Sequence, residues 1–254
     1  MARERIRVER RRGAATLTLD HAPVNVIDLV MIREAIAALR ELENDRSVRV
    51  LVLQGAGRCF SGGVDIREHL PEFIPETLRM FHDLVAAIHN FPVPTLARVN
   101  GPAIGGGLEL VLACDLAIAA ETATFGVPEI TLACFAPVAV VALKRLIGER
   151  RANELLLTGR TVTAADALSM GLLNEVASPK RLEEETKRMV GRILPLSRDA
   201  LEICKRAIRE ADGLSFQGGL SRIERTYLKE TANHPDAIEG IRAFLQKRRP
   251  SWDR

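Results

Sequence analysis

The chain has 254 residues, enough for one large domain or one domain with an appendage, and its formal net charge of +3 is too small to indicate a nucleic-acid partner. Its four cysteines show no CxxC spacing, so we expect reduced thiols in a cytoplasmic protein and neither a disulfide framework nor a zinc site. The basic N-terminus has no apolar region and no run of about 18 apolar residues follows, which predicts no secretion signal and no membrane span.

The first half of the chain alternates strand and helix patterns. We predict strands at 6–9 and 15–19, a helix at 29–43, a strand at 48–53, a helix at 75–90 and a strand at 95–99. Asp28 is expected to cap the first helix. The strand VRVLVL is almost continuously apolar, which is typical of a strand buried within a parallel sheet.

The second half changes from mixed to helical patterns. We predict an apolar segment at 135–147, a helix at 150–157, a capped helix from 163–166 to Gly171, and a strand at 173–176. Four helical segments follow, near 179–193, 197–210, 215–232 and 235–247. The pattern therefore predicts an α/β core over residues 1–180 and a helical C-terminal region over residues 181–254.

A glycine triplet lies in the stretch from Asn100 to Glu129, NGPAIGGGLELVLACDLAIAAETATFGVPE. A glycine-rich turn between a strand and a helix leaves backbone N–H groups unpaired at the positive end of the helix, which suits a negatively charged ligand oxygen. The spacing is neither that of a P-loop nor that of a dinucleotide fingerprint. Taken alone, such a triplet is more often a tight connection without a ligand.

Two carboxylates accompany these glycines. Taken alone, Glu109 is a first-turn glutamate that favours the helix dipole, and Glu129 is a turn carboxylate in water. Glu109, however, lies in a sequence that is otherwise apolar as far as Cys114, where a carboxylate more often faces a cleft than the core. Two carboxylates beside an oxyanion-type donor are the groups needed for acid–base chemistry next to a polarised carbonyl.

The segment NGPAIGGGLELVLACDLAIAAETATFGVPEI, preceded by CFSGGVDIREH, closely resembles the crotonase family of enoyl-CoA hydratases and isomerases. The resemblance runs in the same order from about Leu17 to the C-terminus. It implies a crotonase-like fold of repeated ββα turns, a helical C-terminal region that forms a homotrimer or homohexamer, and an acyl-CoA thioester substrate. It implies neither a metal nor a separate cofactor, because coenzyme A enters as part of the substrate.

The resemblance also assigns roles to residues of this chain. The backbone N–H groups of Ser61 and Gly106 match an oxyanion hole for the thioester carbonyl. Glu109 matches the glutamate that activates water, and Glu129 matches the one that supplies a proton to carbon. The residues matched to coenzyme A binding are Gly62, Gly63, Asp65, Phe244 and Lys247. An ordinary amphipathic helix explains the last two equally well.

One segment departs from the family pattern. Fatty-acyl hydratases have a glycine-rich stretch after the second glutamate, whereas residues 135–141 of this chain are stiff and wholly apolar. Together with GVDIREH and MFHDLVAAI, this segment looks most like cyclohexa-1,5-diene-1-carbonyl-CoA hydratases. That resemblance implies 1,4-addition of water to give 6-hydroxycyclohex-1-ene-1-carbonyl-CoA, in the anaerobic degradation of aromatic compounds through benzoyl-CoA.

Three alternatives stay open: an enoyl-CoA hydratase or isomerase of fatty-acid β-oxidation, a CoA-thioester or ring-opening hydrolase, and a non-catalytic CoA- or RNA-binding relative. The glutamate pair and the lack of a basic face with aromatic residues weigh against the last. His69 and His82 would suit an acyl pocket, but a lone histidine near a helix start is more often structural. Cys134 is expected to pack among apolar neighbours.

Overall fold

The computed structural model describes residues 4–252, and within them strands and helices alternate as the sequence predicts. The strands are β1 (Ile6–Arg11), β2 (Ala14–Leu19), β3 (Val50–Gly55), β4 (Thr95–Val99), β5 (Ala103–Ile104), β6 (Leu116–Ala120), β7 (Thr124–Gly126), β8 (Thr161–Thr163) and β9 (Glu175–Ala177). The helices are α1 (Leu29–Glu43), α2 (Ile74–His89), α3 (Gly106–Ala113), α4 (Pro137–Ile147), α5 (Glu149–Thr158), α6 (Ala164–Met170), α7 (Leu182–Ile193), α8 (Arg198–Glu210), α9 (Phe216–Thr226) and α10 (Pro235–Leu245).

The main sheet has six strands in the order β1-β2-β3-β4-β6-β9. β1 and β2 form an antiparallel hairpin, and the other neighbours are parallel. Both faces are covered: Leu51 and Leu53 of β3 pack in the core that includes α1, α2 and α3, while Val50 and Val52 pack with residues of α7. This two-sided burial is the physical reason for the continuous apolar run in β3.

A second sheet consists of three short strands in the order β5-β7-β8. β4, β5 and α3 follow one another along the chain, as do β6, β7 and α4, so each pair of strands is followed by a helix. An isolated bridge between Ser61 and Ala103 joins the segment after β3 to β5. The predicted α/β class with repeated ββα turns is therefore confirmed.

Several short elements were not predicted. They are β5 to β8, two one-turn helices at Ile66–His69 and Pro128–Leu132, and a π-type turn at Tyr227–Thr231 that ends the helix predicted at 215–232. β5, β7 and β8 have only two or three residues, which is too short for a hydrophobic period to be visible in a sequence. The predicted strands at 48–53 and 173–176 begin two residues later in the structure.

The C-terminal helices pack on two sides of the main sheet. α7 covers one face, and α8 lies along the amino ends of the parallel strands. Arg198 of α8 donates to Val48 O before β3, and Lys205 donates to Val93 O before β4. α10 packs on α8. The division into two domains near residue 180 stays a prediction. None of the helices within residues 4–252 is long and apolar enough to cross a bilayer.

Candidate active site

The loop after β3 carries one half of the candidate site, and Asn25 holds it in place. The Asn25 side-chain amide donates to Ala56 O at 2.9 Å and to Cys59 O at 2.8 Å. Asn25 is buried and has a φ of +53°, a backbone conformation that asparagine tolerates better than most residues. Its role was not predicted, because its contacts lie more than thirty residues away along the chain.

Ser61 is bound within the protein and does not offer a free N–H group. Its N–H donates to Pro102 O at 3.2 Å, and its hydroxyl donates to Asn25 O at 2.8 Å. Its carbonyl accepts from Ile104 N at 3.0 Å, so Ser61 is paired with the segment that forms β5. The prediction that the Ser61 N–H lies in an oxyanion hole is therefore wrong, because strand pairing already uses that donor.

Two other N–H groups meet at this place without a protein acceptor among residues 4–252: those of Val64 and Gly106. Val64 takes part in a parallel bridge with Ile27, in which Gly63 O and Asp65 N make the hydrogen bonds and Val64 N makes none. A Cβ added to Gly106 would lie 3.3 Å from Val64 N. The two donors therefore border one small space, where both can donate hydrogen bonds to a negatively charged ligand oxygen.

A glycine precedes each of these donors and turns its peptide group. Gly63, before Val64, has a φ of +99°, and Gly105, before Gly106, has a φ of +54°. L-residues with side chains rarely adopt these conformations. Gly106 is also the first residue of α3, so its N–H has no partner in its own helix. The sequence shows only that a glycine directly precedes each donor, and the positive φ of that glycine is visible only in the structure.

Glu109 lies in the first turns of α3 and is only 4% exposed. Its Oε1 accepts hydrogen bonds from Val138 N at 2.8 Å and Ala139 N at 3.0 Å, in the first turn of α4. The residue before α4 is Ala136, which has no side-chain cap, so Glu109 caps α4 from another helix.

This environment sets the proton affinity of Glu109. Burial raises the pKa of Glu109 to about 7, against the opposing effect of the Ala139 N–H, and the Glu129 carboxylate raises it further. The two glutamates predicted as a pair therefore lie within electrostatic reach of each other. A carboxyl group with a pKa near 7 is suited to exchange protons at neutral pH.

Glu129 lies in the one-turn helix Pro128–Leu132 and is half-buried, not a turn carboxylate in water. A Cβ added to Gly105 would overlap Glu129 Oε1, so the carboxylate lies directly over the glycine turn before α3. Its Oε2 is buried and has no hydrogen-bond partner among the described residues. Burial raises the pKa of Glu129, while its own backbone N–H and the imidazole of His69 lower it.

The residues matched to coenzyme A divide into two groups in the structure. Gly63 directly precedes the Val64 donor, and Gly62 donates to Val24 O at 2.7 Å. Asp65 caps the helix Ile66–His69 and accepts from Arg67 N at 2.9 Å. Gly62, Gly63 and Asp65 are therefore adjacent to the candidate site, and their contact with coenzyme A stays a prediction.

Phe244 and Lys247 lie elsewhere. Phe244 is on α10 and 84% exposed, and Lys247 follows the helix with a φ of +53°. α10 packs on α8, which lies along the amino ends of the strands, whereas the glycine turns follow their carboxyl ends. Within one chain, the structure does not bring these two residues to the glutamate pair.

The sequence assigned no catalytic role to His69, His82 and Cys134. Their environments in the structure differ. His69 has Nδ1 3.1 Å from Asp65 O, and His82 has a buried Nε2 without a hydrogen-bond partner among the described residues. Cys134 is exposed, whereas the sequence predicted that it packs among apolar neighbours. Ala133 has a φ of +58° and ends the one-turn helix, which leaves Cys134 on the surface after the turn.

An apolar surface follows Glu129. Phe135 is 66% exposed and Val141 is 65% exposed, and the other exposed large apolar residues of this segment are Ile130, Leu132 and Val140. Val138, in the same segment, donates its N–H to Glu109. The segment is therefore connected directly to one glutamate of the candidate site.

One cluster of metal-binding residue types lies away from the glutamates. Asp199, His234 and Asp236 have ligand atoms within 4.8 Å of one another, at the start of α8 and α10. His234 Nδ1 accepts from Asp236 N at 3.2 Å, and its Nε2 lies 3.6 Å from Asp199 Oδ2. Both ring nitrogens already have partners within the protein, so this cluster is best described as a helix cap.

Comparisons with known proteins show which family this chain belongs to. A sequence profile of the enoyl-CoA hydratase/isomerase family matches residues 9–254. The chain is 33% identical to cyclohexa-1,5-dienecarbonyl-CoA hydratase of Thauera aromatica, covering 97% of this chain and 95% of that protein. It is also 33% identical to 2,3-dehydroadipyl-CoA hydratase of Escherichia coli, covering 96% of this chain and 97% of that protein.

The solved structures agree as well. The crystal structure of an enoyl-CoA hydratase of Mycobacterium smegmatis superposes with a TM-score of 0.92 at 34% identity, covering 98% of both chains. The fold is thus the crotonase-like fold that the sequence predicts. By profile, by sequence identity and by fold, the chain belongs to the enoyl-CoA hydratase/isomerase family.

Proposed function

We propose that this protein adds water to an α,β-unsaturated acyl-CoA thioester. The observation that carries the proposal is a pair of N–H groups, on Val64 and Gly106, that have no acceptor within residues 4–252 and lie beside the carboxyl groups of Glu109 and Glu129. A hydratase needs these two components together: donors for a developing enolate oxygen and a pair of groups that move protons.

In the proposed reaction, the thioester oxygen accepts hydrogen bonds from the N–H groups of Val64 and Gly106. These hydrogen bonds polarise the carbonyl and so draw electrons from the conjugated double bond. Glu109, through the carboxylate oxygen that does not cap α4, takes a proton from a water molecule, and the water oxygen bonds to the β-carbon. The resulting enolate charge rests on the oxygen between Val64 and Gly106. Glu129 then gives its proton to carbon, so one water is added and no group leaves.

For the acyl group we propose the ring of cyclohexa-1,5-diene-1-carbonyl-CoA. The apolar segment at 135–141, joined to Glu109 through Val138, supports an apolar acyl group. Dehydroadipyl-CoA, by contrast, carries a second carboxylate that needs a cationic or polar partner, which this segment does not offer. The proposed product is 6-hydroxycyclohex-1-ene-1-carbonyl-CoA, with the hydroxyl on the β-carbon and the proton at the far end of the diene.

The test is to incubate the purified protein in H₂¹⁸O with cyclohexa-1,5-diene-1-carbonyl-CoA and, separately, with crotonyl-CoA. We expect ¹⁸O in the cyclic product, at a rate well above that with crotonyl-CoA. Faster turnover of crotonyl-CoA would favour an ordinary enoyl-CoA hydratase of fatty-acid oxidation instead. Label in neither product would contradict the hydratase proposal, and released free CoA would indicate a hydrolase.

We also propose that the C-terminal region forms a homotrimer or homohexamer. Its helices expose large apolar side chains, which suits burial against another copy. The most exposed of them are Ile208, Phe216, Leu228, Ile241, Phe244 and Leu245. Light scattering of the purified protein would give three or six times 27.9 kDa, whereas a monomer would contradict the proposal.

No metal and no redox cofactor is part of the proposed reaction, because both proton transfers are assigned to glutamates. Turnover is therefore expected to survive dialysis against EDTA. Loss of activity that returned on adding a divalent cation would contradict this part of the proposal. Cytoplasmic location stays a prediction.

A further inference from the structure

The side chain of Ser61 makes two hydrogen bonds inside the candidate site. Its hydroxyl donates to Asn25 O at 2.8 Å and accepts from Gly63 N at 3.1 Å. A hydroxyl has one hydrogen and two lone pairs, so it can make both bonds at once. Ser61 and Gly63 are both buried, and the bond therefore satisfies an N–H group that lies inside the fold.

The Ser61 hydroxyl completes the hydrogen bonding around the Val64 donor. Three of the four N–H groups from residue 62 to residue 65 have acceptors within the fold. They are Gly62 to Val24 O at 2.7 Å, Gly63 to Ser61 Oγ at 3.1 Å, and Asp65 to Ile27 O at 3.0 Å. The N–H of Val64 has no acceptor among residues 4–252. Every neighbouring donor is thus used by the fold, and Val64 alone is left for a ligand.

Hydrogen bonds, and not side-chain packing, set the direction of the Val64 N–H. Gly62 and Gly63 precede Val64, and two consecutive glycines restrict the backbone little. Gly63 O accepts from Ile27 N at 2.9 Å, which turns the Val64 N–H of the same planar peptide the opposite way. The Ser61 hydroxyl holds the peptide on the other side of Gly63. These two bonds together fix Gly63 at its φ of +99°.

Ser61 also contacts the turn that carries the second donor, Gly106. A Cβ added to Gly107 would lie 2.9 Å from Ser61 Cβ and 2.5 Å from Ser61 O, so Ser61 packs directly against the first turn of α3. Ser61 O accepts from Ile104 N at 3.0 Å, two residues before Gly106. One buried residue therefore connects the segments of both donors.

We propose that Ser61 is a positioning residue: its hydroxyl holds the Gly63 N–H, so that the N–H groups of Val64 and Gly106 point at one thioester oxygen. Ser61 acts through Val64 and does not touch the substrate. Without the hydroxyl, the Gly63 N–H would be buried without an acceptor, and the flexible glycine backbone would turn it elsewhere and move the Val64 N–H. This inference rests on the proposed function, which assigns both N–H groups to the thioester carbonyl.

Two variants of Ser61 test the proposal kinetically. Ser61→Ala removes the hydroxyl and keeps the Cβ that packs against Gly107. We expect kcat/KM to fall about ten- to a hundredfold, mostly through kcat, because a misaligned donor stabilises the transition state less. Ser61→Cys has a similar shape but a weakly accepting sulfur, so its kcat/KM should lie between wild type and Ser61→Ala even where the alanine variant does not fold. Wild-type kcat/KM in both variants would overturn the proposal.

Ser197→Ala is the matched control. Ser197 is also buried, and its hydroxyl accepts from Ala200 N at 3.1 Å at the start of α8. The variant therefore loses an equivalent hydrogen bond at the amino ends of the strands, away from the glutamates. We expect it to keep wild-type kcat/KM. A fall equal to that of Ser61→Ala would mean that any lost buried bond lowers turnover, and would contradict a positioning role.

A double variant separates positioning from a general loss of structure. Gly106→Ala fills the space for the thioester oxygen, so the direction of the Val64 N–H no longer matters there. Adding Ser61→Ala to Gly106→Ala should lower kcat/KM by less than about threefold, because changes that act on one contact are not additive. Losses that multiply in full would mean that Ser61 acts outside the oxyanion site.

A spectroscopic measurement does not depend on turnover. The probe is [1-¹³C]butyryl-CoA, a saturated thioester that cannot be hydrated, observed by infrared difference spectroscopy. Hydrogen bonds weaken the C=O bond, so wild type should shift the ¹³C=O band to lower frequency, and Ser61→Ala should lose at least about half of that shift. No shift in wild type, or an equal shift in both, would contradict the proposal. A shift that depends on Ser61 in a protein that hydrates neither unsaturated thioester would mean that the positioning is correct and the proposed hydration is wrong.

Discussion

The helices α3 and α6 both begin directly after a short strand, yet their first turns are completed in opposite ways. At α6, Thr163 Oγ1 accepts from Asp166 N at 3.1 Å and the Asp166 carboxylate accepts from Thr163 N, which is a capping box. At α3 the capping position is Gly105, and the N–H of Gly106 has no protein acceptor among the described residues. The amino end of α6 is closed by its own side chains, whereas the amino end of α3 is left open for a ligand.

α4 has a third arrangement that depends on the open end of α3. Its own capping position is Ala136, and Glu109 of α3 provides the missing acceptor. One carboxyl group therefore completes α4 and faces the open turn of α3. The difference between α3 and α6 shows what the lack of a capping side chain at the start of a helix can mean. Such a helix start indicates either a ligand site or a cap provided by another part of the fold.

The largest expected effect follows from closing the open end of α3. In Gly106→Ala the added Cβ would lie 2.8 Å from Val64 Cγ2 and 3.3 Å from Val64 N, and so would fill the space for the thioester oxygen. We expect a fall in kcat/KM of about a thousandfold, the scale of losing about 3–4 kcal/mol of oxyanion stabilisation. The control is Gly191→Ala in α7, where a Cβ would meet nothing within 4 Å. Wild-type kcat/KM in both variants would show that the open end is not the oxyanion site.

The next effect concerns the two carboxyl groups beside the open end. Glu109→Gln and Glu129→Gln are each expected to lower turnover at least about a hundredfold while thioester binding survives, because an amide cannot exchange protons at neutral pH. Single-turnover kinetics and equilibrium binding would separate the two effects. Glu185→Gln, a buried carboxylate of α7 in ion pairs with Arg181 and Arg188, is the matched control. Its turnover should not change.

Local patterns were enough for most of the fold. The helix predicted at 29–43 is α1, and Asp28 caps it by accepting from Met31 N at 2.8 Å, as expected. These features depend on neighbouring residues, whose spacing is visible in the chain. The glycine triplet also pointed to Gly106, Glu109 and Glu129; the structure places these residues near one another, and their catalytic roles stay predictions.

Contacts between distant segments were not visible in the sequence. Ser61 was chosen over Val64 because nothing in the local sequence shows that Pro102 accepts from Ser61 N. The cap that Glu109 gives to α4 spans about thirty residues, and only the folded chain brings its partners together. Donors are thus hard to assign from a motif alone, because a motif does not show which N–H groups are used by the fold itself.

The stability of Glu109→Gln tests whether Glu109 serves both α4 and the candidate site. Burial raises the pKa of Glu109 from 4.5 to about 7, so the folded state binds a proton that the unfolded state has released between these values. As the pH rises from 4.5 to 7 this difference in proton binding lowers the folding stability of wild type by about 3 kcal/mol, and the loss is complete above pH 7. Glutamine keeps the oxygen that caps α4 and has no charge, so the variant should be more stable than wild type at pH 8 and nearly equal at pH 5. Urea unfolding at both pH values measures this, and equal differences would contradict it.

The pH dependence of turnover also depends on Glu109, whose ionised form lowers stability but is required for the reaction. In the proposed hydration Glu109 must be ionised, and its ionised fraction falls about tenfold per unit below a pKa of about 7. We expect wild-type kcat/KM to fall by about fivefold between pH 7 and pH 6 and by about tenfold for the next unit, as the property of a coupled pair with Glu129. The small residual rate of Glu109→Gln should lack this acidic limb. An acidic limb retained in that variant would assign it to another group.

The smallest effect is expected at the closed helix end. Thr163→Ala removes the hydroxyl that accepts from Asp166 N, and losing such a cap costs about 1 kcal/mol of stability. The N–H groups it leaves are exposed, so water replaces the lost partner and the loss does not reach the glutamates. We therefore expect a lower urea midpoint with unchanged kcat and KM. A fall in turnover as large as that of Gly106→Ala would mean that the two helix ends are not separate in function, and that capping at α6 also positions the site.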